Sequence, residues 1–152
     1  MSLLTDIESA MRAAMKARDA LRVSTLRLAM AAAHNRRIEL GHELTDAEVT
    51  EVLDRQVKQR RESIELYCQG GRPELADAEE AEMAILREFL PEPLTDDEIE
   101  RLVREAVAAT GAARPADMGR VMGVVVPQTK GRADGRAVSD LVRRVLSQGS
   151  AE

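Results

Sequence analysis

The chain has 152 residues, a formal net charge of -5 and only two aromatic side chains, Tyr67 and Phe89. That length allows one domain or two small ones, and the ordinary apolar share of 44% excludes a disordered chain. The lack of aromatics excludes functions built on base stacking, and the acidic balance excludes bulk attraction of nucleic acid, leaving only a local basic patch for that purpose. Cys68 is the single cysteine, so no intrachain disulfide can form, which fits a reducing cytosol. The opening MSLLTDIESAM lacks the basic and apolar regions of a signal peptide, and no apolar run approaches membrane-spanning length. A cytoplasmic protein without membrane contact is expected.

Apolar residues recur at helical spacing throughout, and nothing reads as a strand. The first helix runs from about Leu4 to Arg18 with Ile7, Met11 and Met15 on one face. Asp19 starts a second, carrying Val23, Leu26 and Met30 and ending near Gly41. Thr45-Asp46-Ala47-Glu48 forms a capping box, in which hydroxyl and carboxylate each satisfy the other residue's amide. The third helix reaches about Gln69, where Gly70-Gly71 stops it. Pro73 opens a fourth that ends at Leu90, because Pro91-Glu92-Pro93 cannot continue it. Thr95-Asp96-Asp97-Glu98 repeats the box and starts a fifth helix, closed by Gly111. A sixth runs from Pro115 to about Thr129 and a seventh from about Asp134 to Gln148. The expected fold is all-α: a four-helix N-terminal domain over 1–90 and a three-helix C-terminal domain over 94–148.

On a helical wheel, Arg27 falls among Val23, Met30 and Ile38. Arg60 and Gln56 fall among Val49, Leu53, Ile64 and Tyr67, and Glu79 and Glu82 among Leu75, Leu86 and Phe89. Two arginines and two glutamates thus point toward one core, where an unpaired charge is costly. The favoured reading is an interhelical ion-pair network of Arg27 and Arg60 with Glu79 and Glu82; the alternative is a carboxylate pair for acid-base chemistry. His34, His42 and Cys68 lack the spacing of a zinc set, and a Cys-His pair would need a third, orienting group. No metal and no cofactor are expected. Arg18, Arg22 and Arg36 form a basic stripe, with Arg37 at its edge and Lys58 and Arg61 on the third helix. It reads either as solvated surface or as an RNA-facing set.

In the sixth helix Gly119 and Gly123 are four apart. Each costs about 1 kcal/mol against alanine, so close approach of another backbone, from the seventh or fifth helix, is expected in return. The segment Lys130-Gly131-Arg132-Ala133-Asp134-Gly135-Arg136 has the parts of an anion site: two glycines, a helix N-terminus, and the cations Lys130, Arg132 and Arg136. It is not a Walker loop. Asp134 as N-cap would satisfy some of the same amides and repel an anion, so plain capping is the competing reading.

Several stretches together resemble the YqeY family over nearly the whole chain. They are Met15-Lys16-Ala17-Arg18-Asp19, Leu26-Arg27, Gly71-Arg72-Pro73-Glu74-Leu75, Glu79-Glu80-Ala81-Glu82 and Phe89-Leu90-Pro91. The most specific are Asp117-Met118-Gly119-Arg120-Val121-Met122-Gly123 and Lys130-Gly131-Arg132-Ala133-Asp134-Gly135. That family shares its domain with the C-terminal tail of GatB, a subunit of the glutamine-dependent amidotransferase that corrects mischarged tRNA. The resemblance implies a helical domain followed by a three-helix tail that helps hold tRNA, with catalysis housed elsewhere in the larger complex. It raises the turn at Lys130–Arg136 to an RNA-contact candidate on a par with simple capping. It points to carbon-nitrogen ligase systems with glutamine as amido donor, yet the chain has no room for the kinase-like or amidase domains such a reaction needs. The function expected is a non-catalytic accessory module for tRNA or a tRNA-bound enzyme. A protein-protein adaptor is the alternative, and a ligase component is the weaker one. Without a long heptad seam, a monomer is expected.

Overall fold

The structure, a computed structural model, describes residues 2–149, all helices and connections with no strand among them. The chain divides into two compact units, Met1–Pro91 and Glu92–Glu152.

The first unit contains α1 (Leu3–Ala17), α2 (Ala20–Leu40), α3 (Asp46–Gln69) and α4 (Pro73–Arg87). Each start has a local chemical cause. The Ser2 hydroxyl accepts from the Thr5 amide, Asp19 from the Arg22 amide, and Thr45 and Glu48 complete the expected capping box. The Asp46 carboxylate also accepts from the Leu3 amide at 3.0 Å, tying the start of α1 to that of α3. Backbone hydrogen bonding from Thr45 holds the Glu48 carboxyl below the usual range. Gly41 closes α2 in the left-handed region at φ 74°, as expected of a glycine there. Arg18 closes α1 at φ 57°, an uncommon conformation for a side chain with a Cβ. Helix α4 stops at Arg87, three residues before the expected Leu90. The intervening residues tighten into i to i-3 hydrogen bonds, such as Phe89 N–H to Leu86 O, before the prolines.

The core of this unit is Ile7, Leu26, Ala29, Val49, Leu53, Val57 and Leu86, with Met11, Met30, Met83 and Phe89 packed against it. Two expected faces are corrected. On α1, Ala14 is buried and Met15 is exposed. On α2 the buried stripe is Thr25, Leu26, Ala29 and Ala33, while Ile38 and Arg27 face solvent. Helix α2 packs on α1, α3 and α4 together. Its small residues occupy the crowded side, and periodicity of large apolar residues alone misplaces the stripe.

The second unit contains α5 (Asp96–Thr110), a 3-10 turn (Pro115–Asp117), α6 (Met118–Thr129) and α7 (Gly135–Gly149). The Thr95 hydroxyl accepts from the Glu98 amide at 3.1 Å, so one arm of the second capping box forms. Valine dominates its core: Val103, Val121, Val125, Val138, Val142 and Val145 pack with Ile99 and Leu146. Such β-branched residues are stiff in helices and lose little side-chain entropy on burial.

The expected role of Gly119 and Gly123 is corrected. A Cβ built at either would meet nothing within 4 Å, and both are exposed. No neighbouring backbone of the described residues needs the space. Gly123→Ala should therefore raise the stability of this unit by about 0.5–1 kcal/mol, read as a higher urea midpoint at unchanged slope. A lower midpoint would show that the glycine relieves backbone strain before Pro127, which interrupts the hydrogen bonding of α6.

Candidate nucleic-acid interface and the charges around it

The turn between α6 and α7 begins at Thr129, a buried residue whose hydroxyl donates to Val125 O at 3.1 Å. The Arg132 and Ala133 amides both donate to Thr129 O, at 2.9 and 3.1 Å. Gly131 makes this reversal in the left-handed region at φ 76°. Asp134 is the N-cap of α7: its carboxylate accepts from the Arg136 amide at 3.3 Å and its carbonyl from the Val138 amide at 3.1 Å. The N-cap thus places a carboxylate where a phosphate would otherwise meet those amides.

The three cations of the turn differ in position. Arg132 Nε donates to Glu92 O at 3.0 Å, and Arg132 O accepts from the Leu94 amide at 2.8 Å. Arg132 is therefore a half-buried brace that holds the start of the unit against the turn. Lys130 and Arg136 are exposed on either side of it. Arg132 thus differs from Lys130 and Arg136 in being engaged with the backbone at the start of the unit.

The other family-like stretch is also built into the fold. The Asp117 carboxylate accepts from the Ala113 amide at 3.0 Å and the Arg114 amide at 3.2 Å, and pairs with Arg120 at 2.8 Å. Arg120 Nη1 donates to Thr110 O at 3.2 Å, among the last carbonyls of α5. Asp117 and Arg120 thus clasp the end of α5 to the start of α6. The Ala113 amide, then Arg120, then the Arg114 amide hold the Asp117 carboxyl at about 2. Because the folded value lies below the ordinary one, this stabilisation is present above the unfolded value and is lost as pH falls through about 2. Asp117→Asn should be less stable than wild type at pH 7, and the gap should close in denaturant titrations between pH 4 and 2. A constant gap would place the stabilisation elsewhere. The Asp-x-x-Arg spacing was a legible sign of an i, i+3 pair; the backbone groups it serves were not.

In the first unit the charges aimed at the core resolve into one pair. Arg60 is 6% exposed on α3, and its Nε meets Glu82 Oε2 of α4 at 3.2 Å. Arg60 Nη1 donates to Gln56 O at 3.2 Å and to Gln56 Oε1 at 3.0 Å. Arg27 is exposed and is not part of this network, because the buried side of α2 lies elsewhere. Glu79 is half-buried on α4 and bonds to neither arginine. In place of a four-member network, the described residues show a single Arg60–Glu82 clamp across α3 and α4.

The basic stripe is largely neutralised. Arg22 pairs with Glu88 at 2.5 Å, Arg36 with Glu39 at 2.9 Å, and Arg37 with Glu43 at 3.0 Å. Arg18 is exposed at the end of α1. His34 Nδ1 faces Arg37 at 3.3 Å and His42 lies 3.5 Å from Glu48; neither meets the exposed Cys68. No group of three or more potential metal ligands forms among the described residues, and no described helix is long and apolar enough to cross a membrane.

A family model described as Yqey-like protein matches residues 4–146. The chain belongs to the YqeY family. Among its relatives, Altered inheritance of mitochondria protein 41, mitochondrial, from Pyrenophora tritici-repentis is 26% identical over 147 residues, covering 95% of this YqeY chain and 81% of the relative. The protein of the same name from Lachancea thermotolerans is 27% identical over 88 residues, covering 57% of this chain and 47% of the relative. An uncharacterized Schizosaccharomyces pombe protein is 42% identical over 48 residues, covering 32% and 39%. For a YqeY-family chain, the two most specific stretches of sequence are thus explained first by structure: one clasps α5 to α6, the other caps α7 and braces the unit's start.

Proposed function

We propose that this YqeY-family chain is a non-catalytic accessory module that binds tRNA, or a tRNA-bound enzyme, through phosphate contacts. Its two units serve as its domains, 1–90 and 94–148, and it works as a monomer in a reducing, cytoplasmic compartment, where the exposed Cys68 stays a free thiol. The observation that carries the reading is the pinned turn at Gly131, which holds exposed Lys130 and Arg136 around the start of α7. Charges on a pre-ordered turn lose little backbone entropy on contact with a phosphate. Arg132 braces that turn, and Arg18, Arg22 and Arg36 form a second set, two of them half-buried. The test is a tRNA titration of wild type and a Lys130→Ala/Arg136→Ala variant at two salt concentrations.

A second reading is an adaptor that docks on a helix of a partner enzyme, such as one in an amidotransferase-like carbon-nitrogen ligase. It rests on Leu21 and Leu28, which are 41% and 55% exposed two turns apart on one side of α2. Salt-insensitive capture of the partner, abolished by Leu28→Glu, would favour it over RNA.

A further inference from the structure

We infer that the cleft between α2 and α3 binds a phosphate group. The cleft measures about 190 Å³ and is lined by Ala32, Asn35, Arg36 and Glu39 of α2 and by Val52, Arg55 and Gln56 of α3. It lies within the first unit and is separate from the turn at Lys130–Arg136, so it stands or falls independently of that site.

The buried clamp sets the chemistry of this cleft. Arg60 is fixed by Glu82, and its Nη1 takes both the backbone carbonyl and the side-chain oxygen of Gln56. With its oxygen committed to Arg60, the Gln56 carboxamide keeps two N–H donors and no equal acceptor for the cleft. Arg55 is exposed and makes no ion pair among the described residues. Arg36 spends one nitrogen on Glu39 and keeps the rest of its guanidinium. Asn35 adds a further amide. The lining therefore carries two arginines against one glutamate, within a chain whose net charge is -5. Donors arriving from two helices suit the several acceptor oxygens of a phosphate, and arginine can bind two of them at once. The Glu39 carboxylate is the group a phosphate would displace from Arg36.

The test is a titration of inorganic phosphate into the isotope-labelled full chain at constant ionic strength, followed by nuclear magnetic resonance. Saturable shifts are expected at the Gln56 side-chain amide and at backbone amides of 32–39 and 52–56. Arg55→Gln and Gln56→Glu should each weaken binding at least about 5-fold, the loss of one charge-assisted hydrogen bond. Gln56→Glu retains the oxygen that Arg60 needs, so the fold is kept while the donors are lost. Arg12→Gln, on α1, should leave binding unchanged. A short RNA that moves the same signals would give a polynucleotide as the source of the phosphate; response to inorganic phosphate alone would give a small molecule. Shifts that fail to saturate, that spread over all arginines, or that persist in Arg55→Gln would overturn the assignment.

Discussion

Arg60→Ala is expected to lower the stability of the first unit by about 2–3 kcal/mol, somewhat less than a fully buried pair, because Glu82 keeps 25% exposure. The guanidinium meets three acceptors: Glu82 Oε2, Gln56 O and Gln56 Oε1. Its removal leaves Glu82 without its cation and opens a hole between α3 and α4, which pack together more extensively than any other pair of helices. Glu82→Ala should cost a comparable amount by the opposite route, leaving the buried guanidinium with only the two Gln56 oxygens. The loss is recovered in a joint change: Arg60→Met with Glu82→Leu should return to within about 1 kcal/mol of wild type, since neither charge then needs a partner. Urea unfolding checks this, with the midpoint moving and the slope constant. A single-variant loss under about 0.5 kcal/mol would mean that the pair behaves as a surface bridge.

The second large effect is on RNA. Binding of tRNA by wild type should fall steeply between 50 and about 200 mM salt, because released counterions supply most of the free energy. The Lys130→Ala/Arg136→Ala variant should bind about 10-fold more weakly at low salt, and its salt slope should be smaller by about 2, one for each cation removed. Arg132 is left intact in this variant, because its Nε bond to Glu92 O would mix a loss of structure with a loss of charge. An Arg22→Ala/Arg36→Ala variant should have the smaller effect, since those side chains are half-buried whereas Lys130 and Arg136 are exposed. Equal affinity and equal slope in the Lys130/Arg136 variant would remove the turn from the account. Equal losses in both variants would point to the whole basic surface.

The two units put the same kinds of residue to related uses. In the second, aspartates and arginines are spent on backbone groups: Asp117 on two amides, Arg120 on Thr110 O, Asp134 on the Arg136 amide and Arg132 on Glu92 O. Short helices leave many terminal amides and carbonyls for few residues, and charged side chains satisfy them. In the first, Ser2, Asp19, Thr45 and Asp46 serve helix starts in the same way, and buried Arg60 in addition joins α3 to α4 side by side.

Helix positions were legible in the sequence because their signals are local. Thr45, Pro73, Gly41 and Gly111 set starts and stops through their own backbone chemistry, and all four act where the pattern places them. The all-helical class follows from periodicity, and Arg60 and Glu82 could be flagged because a charge among apolar positions is costly anywhere. Tertiary structure alone decided which charges meet across helices. Arg27 and Arg60 look alike on a wheel, but α2 turns its alanine side inward and carries Arg27 out to water. Gly119 and Gly123 look like a close-packing motif, yet the face they occupy has no neighbour within the chain's described residues. That Arg132 is also a brace was not legible, because the carbonyl it binds lies forty residues away. Local sequence sets the conformation of each segment; the facing of one segment on another depends on every side chain in the contact at once, and no single stretch encodes it.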